Sequence, residues 1–204
     1  TNRAYFETQI KPIAINRLAL SAADEERVRF ALQSYFDKQA SLSKVVRIKA
    51  YFRYKTFILK SFSVHAKSDR IRDLVFEFSN IVSQLSSDFG PDFVEIAPSH
   101  GDLNRGNIFA NDVDIKIIDW EYFLYRYLEY DKIIYFGNLR HLSLEKYNEY
   151  LDVIDTTKCD INLFLLEEYF FRILNYKEDV EDSEIHLANI RRLFSKMNGI
   201  AGSA

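Results

Sequence analysis

Ser99-His100-Gly101-Asp102-Leu103-Asn104-Arg105-Gly106-Asn107, followed by Ile117-Ile118-Asp119-Trp120-Glu121-Tyr122, decides how this chain of 204 residues is read. Asp102 and Asn107 stand five apart in an H-x-D-x-x-x-x-N frame, and Asp119 closes an apolar run twelve residues later. An Asp and an Asn five apart occur by chance in many proteins, and Asp-Trp-Glu alone carries nothing. The information lies in the order: His, Asp, Leu and Asn in one loop, then a hydrophobic strand ending in Asp.

That frame is the one used by the catalytic loop of kinases, with the second Asp where a metal-binding Asp belongs. Phosphoryl transfer asks little covalent chemistry of a protein. It needs an acceptor hydroxyl held in line and cations against the phosphate charge. Asp102 is placed to accept the hydroxyl proton. Asn107 offers an amide oxygen and Asp119 a carboxylate, hard donors suited to Mg²⁺, which takes its other ligands from water and phosphate. Asn111-Asp112 signals a turn and Ile115–Ile118 a strand, which returns Asp119 to the loop. Gly101 and Gly106 permit a tight backbone. His100 is expected to brace the loop by hydrogen bonding rather than touch substrate. Glu121 orients the loop or reaches the acceptor, and Trp120 packs.

Gly101 after the His, and Asp119-Trp120-Glu121 in place of Asp-Phe-Gly, depart from protein kinases. They resemble the aminoglycoside phosphotransferase and choline kinase superfamily, whose members often read H-G-D-L-x-x-x-N and I-D-[WF]-E. Ile118 to Tyr122 is similar to the choline and ethanolamine kinase version. Glu129-Tyr130-Asp131 is similar to the family's Tyr-Asp-Leu-Ala element, whose Asp is usually structural, although Lys132-Ile133 replaces Leu-Ala and no Gly-Asp-Pro precedes it. The resemblance covers residues 99–131. It implies the C-terminal catalytic lobe of a protein-kinase-like fold, mainly α with a small β element. It also implies an ATP- and Mg²⁺-dependent transfer of the γ-phosphate to a hydroxyl of an amino alcohol, sugar or aminoglycoside. In that reading Asp102 is the catalytic base, Asn107 and Asp119 hold the metal and through it ATP, and His100 and Glu121 support them.

A kinase also covers its nucleotide with a Gly-rich loop, a strand Lys and a helix Glu. The chain has six glycines and none precedes Gly90. Thr56-Phe57-Ile58-Leu59-Lys60 imitates a Lys strand with Glu77 as partner, but Lys60 lies only 40 residues before His100, too few for the intervening elements. The expectation is therefore a single domain over 1–204, with the nucleotide-covering lobe outside this chain, whose first residue is Thr. The alternative is a kinase-derived binding or scaffold module that no longer catalyses.

Composition narrows the partners. A net charge of −3 gives no reason to expect nucleic acid. Arg47, Lys49, Arg53, Lys55 and Lys60 interleave with Tyr51, Phe52, Tyr54 and Phe57, which reads as a half-buried helix with snorkelling stems. Residues 127–204 hold 14 Asp and Glu against 9 Lys and Arg, compatible with a cationic acceptor but better accounted for by solvated helix faces. Cys159 is the sole cysteine, so no internal disulfide exists and a reducing, cytoplasmic setting is expected. No apolar run approaches a membrane span, and no signal peptide is visible. With 48% apolar residues the chain can build a substantial core.

Helical spacing predicts helices over 24–39, 43–62 and 68–87, with Ser68 as cap and a strand pair the alternative in the second. Further helices are expected near 128–140, 143–155, 160–177 and 183–197, with Ser143 and Ser183 as caps.

Overall fold

A computed structural model describes residues 11–12, 22–64, 69–84, 92–110, 115–137, 149 and 160–175. The chain is mainly helical with small antiparallel sheets, as the sequence suggests. It divides into two compact units. One comprises residues 1–43 and 97–143, the other 44–96 and 144–204.

The first unit begins with β1 (Lys11–Pro12) and α1 (Ala22–Ser41). Acids at the start of α1 and Lys38 in its last turn complement the helix dipole. Val28, Leu32 and Phe36 recur every fourth position and are buried, so one stripe of α1 faces the core. They cluster with Leu103, Ile108 and Tyr135, while Tyr35 and Ile117 pack against them partly buried. Leu103 lies inside the predicted catalytic loop and is fully buried, a burial that stabilises by about 1.5–3 kcal/mol. β4 (Ile108–Ala110) and β5 (Ile115–Ile117) form an antiparallel pair, with Ile108 opposite Ile117. β1 pairs with the other side of β4. Then come β6 (Leu124–Tyr127) and α4 (Tyr130–Gly137).

The second unit is a helical assembly. It opens with β2 (Lys44–Arg47), which pairs antiparallel with the first residues of β3 (Phe93–Ser99), Lys44 opposite Ile96. α2 (Ile48–Ser63), α3 (Asp69–Gln84) and α5 (Ile161–Leu174) follow. Ile48, Tyr51, Phe52, Lys55 and Leu59 make the buried stripe of α2, whereas Tyr54 and Phe57 are exposed. Ile71, Leu74, Val75, Phe78 and Val82 make that of α3. α5 is buried without interruption from Leu163 to Ile173, as a helix that is apolar nearly all round must be. Phe78 stacks on Tyr169 at 5.7 Å, and the Tyr169 hydroxyl donates to Glu77 at 3.1 Å.

Within α5, Glu167 and Glu168 are buried and partnered. Lys55 Nζ lies 2.6 Å from Glu167 and 4.2 Å from the Phe170 ring centroid; the Tyr51 hydroxyl donates to the same carboxylate at 2.5 Å. Glu168 pairs with Arg172 one turn on, at 2.9 Å.

One expectation changes, and one rejected reading stays rejected. The helix read over 43–62 begins only at Ile48, because Lys44–Arg47 pairs as a strand. Thr56 to Lys60 lies within α2, so the imitation Lys strand does not exist, and Glu77 receives a tyrosine rather than Lys60. The expected helices near 143–155, apart from the helical Glu149, and near 183–197, the caps Ser68, Ser143 and Ser183, and the Asn111-Asp112 turn lie outside the described residues. Among those residues no helix is long and apolar enough to cross a membrane.

Candidate active site

The site is assembled wholly within the first unit, on the loop that follows β3. A loop of this kind exposes backbone amides that must be satisfied. Here one buried carboxylate satisfies them. Asp131, on the first turn of α4, accepts from the backbone N–H groups of His100 at 2.8 Å and Gly101 at 3.0 Å. It also accepts from the hydroxyls of Ser99 at 3.0 Å and Tyr35 at 2.6 Å, and from the Gln39 amide at 3.1 Å. Gln39 donates in addition to the Pro98 carbonyl at 2.9 Å, tying α1 to the strand before the loop. Asp131 is wholly buried, and its five donors replace the hydration its two oxygens give up. Burial and the Asp131 charge together push the Tyr35 phenol far above its ordinary value, so Tyr35 stays a donor.

Gly101 then turns the chain at φ 87, where a Cβ would come within 2.5 Å of the Arg126 guanidinium and 2.7 Å of the Tyr122 carbonyl. Only glycine fits that position. His100 is buried beneath the loop. Its Nε2 lies 2.6 Å from the Ile118 carbonyl and its Nδ1 accepts from Asp102 N–H at 3.3 Å, so Nε2 carries the proton. The imidazole thereby bridges the segment bearing Asp102 to the one bearing Asp119. It faces backbone on both sides and not the open site.

Asp102 and Asn107 are joined directly. The Asn107 amide nitrogen donates to the Asp102 carbonyl at 2.9 Å, which turns its oxygen to the other side. Asn104 reinforces the turn: its amide nitrogen is 3.2 Å from both the carbonyl and Oδ2 of Asp102, while its oxygen accepts from Gly106 N–H at 2.8 Å. The β4–β5 register does the rest. Ile118 N–H donates to the Asn107 carbonyl at 2.9 Å, so Asp119 emerges beside Asn107 at the same end of the pair.

Asp119 is exposed and adopts φ 66, ψ 56, the sole positive φ among the described non-glycine residues. Such a conformation is costly and persists where surroundings impose it, commonly at functional sites. The turn Trp120–Tyr122 follows. The Trp120 indole N–H donates to Ile117 O at 2.8 Å, and its ring lies 4.8 Å from His100 and 6.0 Å from Tyr35. Trp120 thus covers the imidazole. Glu121 is exposed and accepts from the Tyr122 hydroxyl. Burial, that hydrogen bond, and the charges of Glu121, Asp102 and Asp119 push the Tyr122 phenol up to about 12. The phenol thus feels Glu121 directly and the charges of Asp102 and Asp119 more weakly.

The donor set suits Mg²⁺. Among the described residues no group of three or more His, Cys, Asp or Glu converges, but Mg²⁺ is ordinarily held by one or two protein oxygens. Asn107 has its amide oxygen unengaged by the bond that fixes its nitrogen, and Asp119 presents an exposed carboxylate next to it.

Sequence reasoning missed Tyr35, Gln39, Ser99 and Arg126. For Tyr35 and Gln39 a signal existed: they extend the buried stripe of α1 with polar groups one turn apart. Arg126 is fully buried, donates to the Tyr122 carbonyl at 2.8 Å and lies over the Tyr130 ring. Comparisons with protein-family models, with curated proteins and with solved structures each return no match.

Proposed function

We propose that this chain is the catalytic lobe of an ATP- and Mg²⁺-dependent phosphotransferase acting on a hydroxyl of a small acceptor. The observation that carries the reading is the coupling of Asp102 to Asn107 through the 2.9 Å amide–carbonyl bond, with Asp119 delivered beside them by the β4–β5 register. A protein that only packs or docks has no need to hold an exposed Asp119 in left-handed backbone beside Asn107.

In this mechanism Asp102 accepts a hydrogen bond from the acceptor hydroxyl, orients its oxygen and takes its proton as transfer proceeds. Asn104 beside Oδ2 steadies the Asp102 carboxylate, while Asn107 holds the Asp102 backbone carbonyl and with it the turn. Asn107 and Asp119 would hold Mg²⁺, which when bound neutralises charge on the ATP phosphates. Glu121 is exposed two residues after Asp119 and accepts from the protonated Tyr122; the pair suits an acceptor with hydrogen-bonding or cationic groups, of the amino alcohol, sugar or aminoglycoside kind. His100 and Asp131 act at one remove by fixing the loop. ATP as donor accords with a cytoplasmic setting.

A second reading has one observation in its favour: no glycine precedes Gly90, so no phosphate-covering loop lies upstream in this sequence. The protein would then bind small molecules through this loop without turnover. A Mg²⁺-dependent ATP-consumption screen decides between them, run on the full-length protein with choline, ethanolamine, hexoses and aminoglycosides as acceptors. Acceptor-stimulated turnover that vanishes in Asp102→Asn is expected. No turnover, together with no Mg²⁺-ATP binding by calorimetry, would favour the binding module.

A further inference from the structure

β2 and α2 together hold a segregation of charge that neither the core nor the proposed chemistry uses. Residues 44–64 carry six Lys and Arg and no Asp or Glu, in a chain with 27 basic and 30 acidic residues. Lys55 turns inward to Glu167. Lys49, Arg53 and Lys60 are exposed, and so are Tyr54 and Phe57, at 60% and 67%. Val64, which caps the helix, is 78% exposed.

Helix geometry gathers these groups on one face. At about 100° per residue, Lys49, Arg53 and Lys60 fall within an arc of about 40°. Val64, Phe57 and Tyr54 continue the same face over roughly the next 100°. A ridge of cations about 16 Å long thus runs beside a strip of apolar and aromatic side chains. Helix stability does not account for it. Lys49 stands in the first turn, where no acid is present and where a cation opposes the helix dipole. Lys49 and Arg53 are four apart, a spacing at which like charges destabilise a helix. Among the described residues none of the three exposed cations has an acidic partner. Their repulsion is offset where an outside partner supplies the negative charge.

We propose that this face of α2 docks on an anionic phospholipid surface. The cations take the headgroup phosphates, and Phe57, Tyr54 and Val64 enter the boundary between headgroups and acyl chains. The outward face of one helix is convex. It offers no pocket to a small molecule, but it can lie along a plane. A nucleic acid would use the cations and the two rings and leave Val64, the most exposed of the three apolar groups, in water; a bilayer buries it. Docking of this kind needs no membrane span, and it stands whether or not the loop of Asp102 transfers phosphate.

The test is co-sedimentation of the full chain with phosphatidylcholine vesicles, with and without about one-third phosphatidylserine, at low and at high salt. Polyuridylate is the comparison polyanion. Saturable binding to the anionic vesicles at low salt is expected, with little to phosphatidylcholine alone. Arg53→Gln should weaken it by about fivefold, and the triple change Lys49→Gln, Arg53→Gln and Lys60→Gln by roughly a hundredfold. Lys38→Gln, which removes an exposed cation from α1, should change it by less than about twofold. Phe57→Ser should weaken binding several-fold and keep that deficit at high salt, because it removes apolar burial rather than charge. All of these positions are exposed, so the fold does not depend on them. No binding to the anionic vesicles, equal binding to phosphatidylcholine alone, or undiminished binding of the triple variant would overturn the proposal. So would polyuridylate binding more tightly than the vesicles while Phe57→Ser binds them unchanged, which would assign the ridge to a nucleic acid.

Discussion

Each unit of this molecule buries a carboxylate, and the two are used differently. In the helical unit Glu167 meets a cation and a phenol, Lys55 and Tyr51, inside an aromatic setting completed by Phe170. In the unit that carries the site, Asp131 meets no such single partner. It gathers five donors, two of them backbone N–H groups of the loop itself. The difference is one of replaceability. Side chains that pair with each other can be exchanged together for apolar ones, whereas backbone amides cannot be removed and will always need an acceptor. Glu167 belongs to a packing solution with alternatives; Asp131 belongs to the loop.

The largest effect should come from breaking the helical pair on one side only. Glu167→Ala strands the Lys55 ammonium in the core and is expected to cost about 3–5 kcal/mol in urea unfolding. The double change Lys55→Met with Glu167→Leu should recover most of that loss, because it removes both charges and keeps the volume. A double variant as unstable as the single one would contradict the comparison from that side.

Asp131→Asn sharpens it from the other. The amide keeps the shape but offers one acceptor oxygen where two were used, so His100 N–H or Gly101 N–H loses its partner. A cost of about 2–3 kcal/mol is expected, with turnover reduced as well, and no second substitution should rescue it. Gly101→Ala follows at about 1–3 kcal/mol, since φ 87 and the Arg126 guanidinium both oppose a Cβ. Amide exchange at His100 and Gly101 should accelerate in Asp131→Asn and leave α5 protected.

The smallest effect concerns Tyr122. Its phenol is raised from 10.0 to about 12 in the folded chain, so the folded state favours the protonated form. The stability this brings is fully present below pH 10 and is lost as pH rises through the folded value. Absorbance titration of the phenolates should show a late-titrating tyrosine that Tyr122→Phe removes, distinct from Tyr35, which titrates later still, with little change in stability at neutral pH.

How much of this could be read beforehand varies with the range of the contacts. The helices α1 and α3 follow from apolar residues at helical spacing, and β5 from the β-branched run that ends at Asp119. The frame around Asp102 was visible because its members lie within twenty residues. β2 was not, because Lys44–Arg47 has no alternating face, with Val45 two-thirds exposed, and becomes a strand only by pairing with residues some fifty positions on. The partnership of Lys55 with Glu167 spans more than a hundred residues and leaves no local trace. Tyr35 illustrates the intermediate case. Its spacing marks a core position, which it occupies in part, but its hydroxyl reaches Asp131 across 96 residues.

The measurement that bears most directly on the central claim is a paired one, Mg²⁺-ATP binding by calorimetry and acceptor-dependent turnover, in Asp102→Asn and Asp119→Asn of the full-length protein. Asp102→Asn should bind Mg²⁺-ATP as the unaltered protein does and lose turnover by roughly 10²–10⁴-fold, the range for a lost general base. Asp119→Asn should lose both binding and turnover, with either variant unfolding within about 0.5 kcal/mol of the parent. Undiminished turnover in Asp102→Asn would contradict the role given to the loop and the reading built on it.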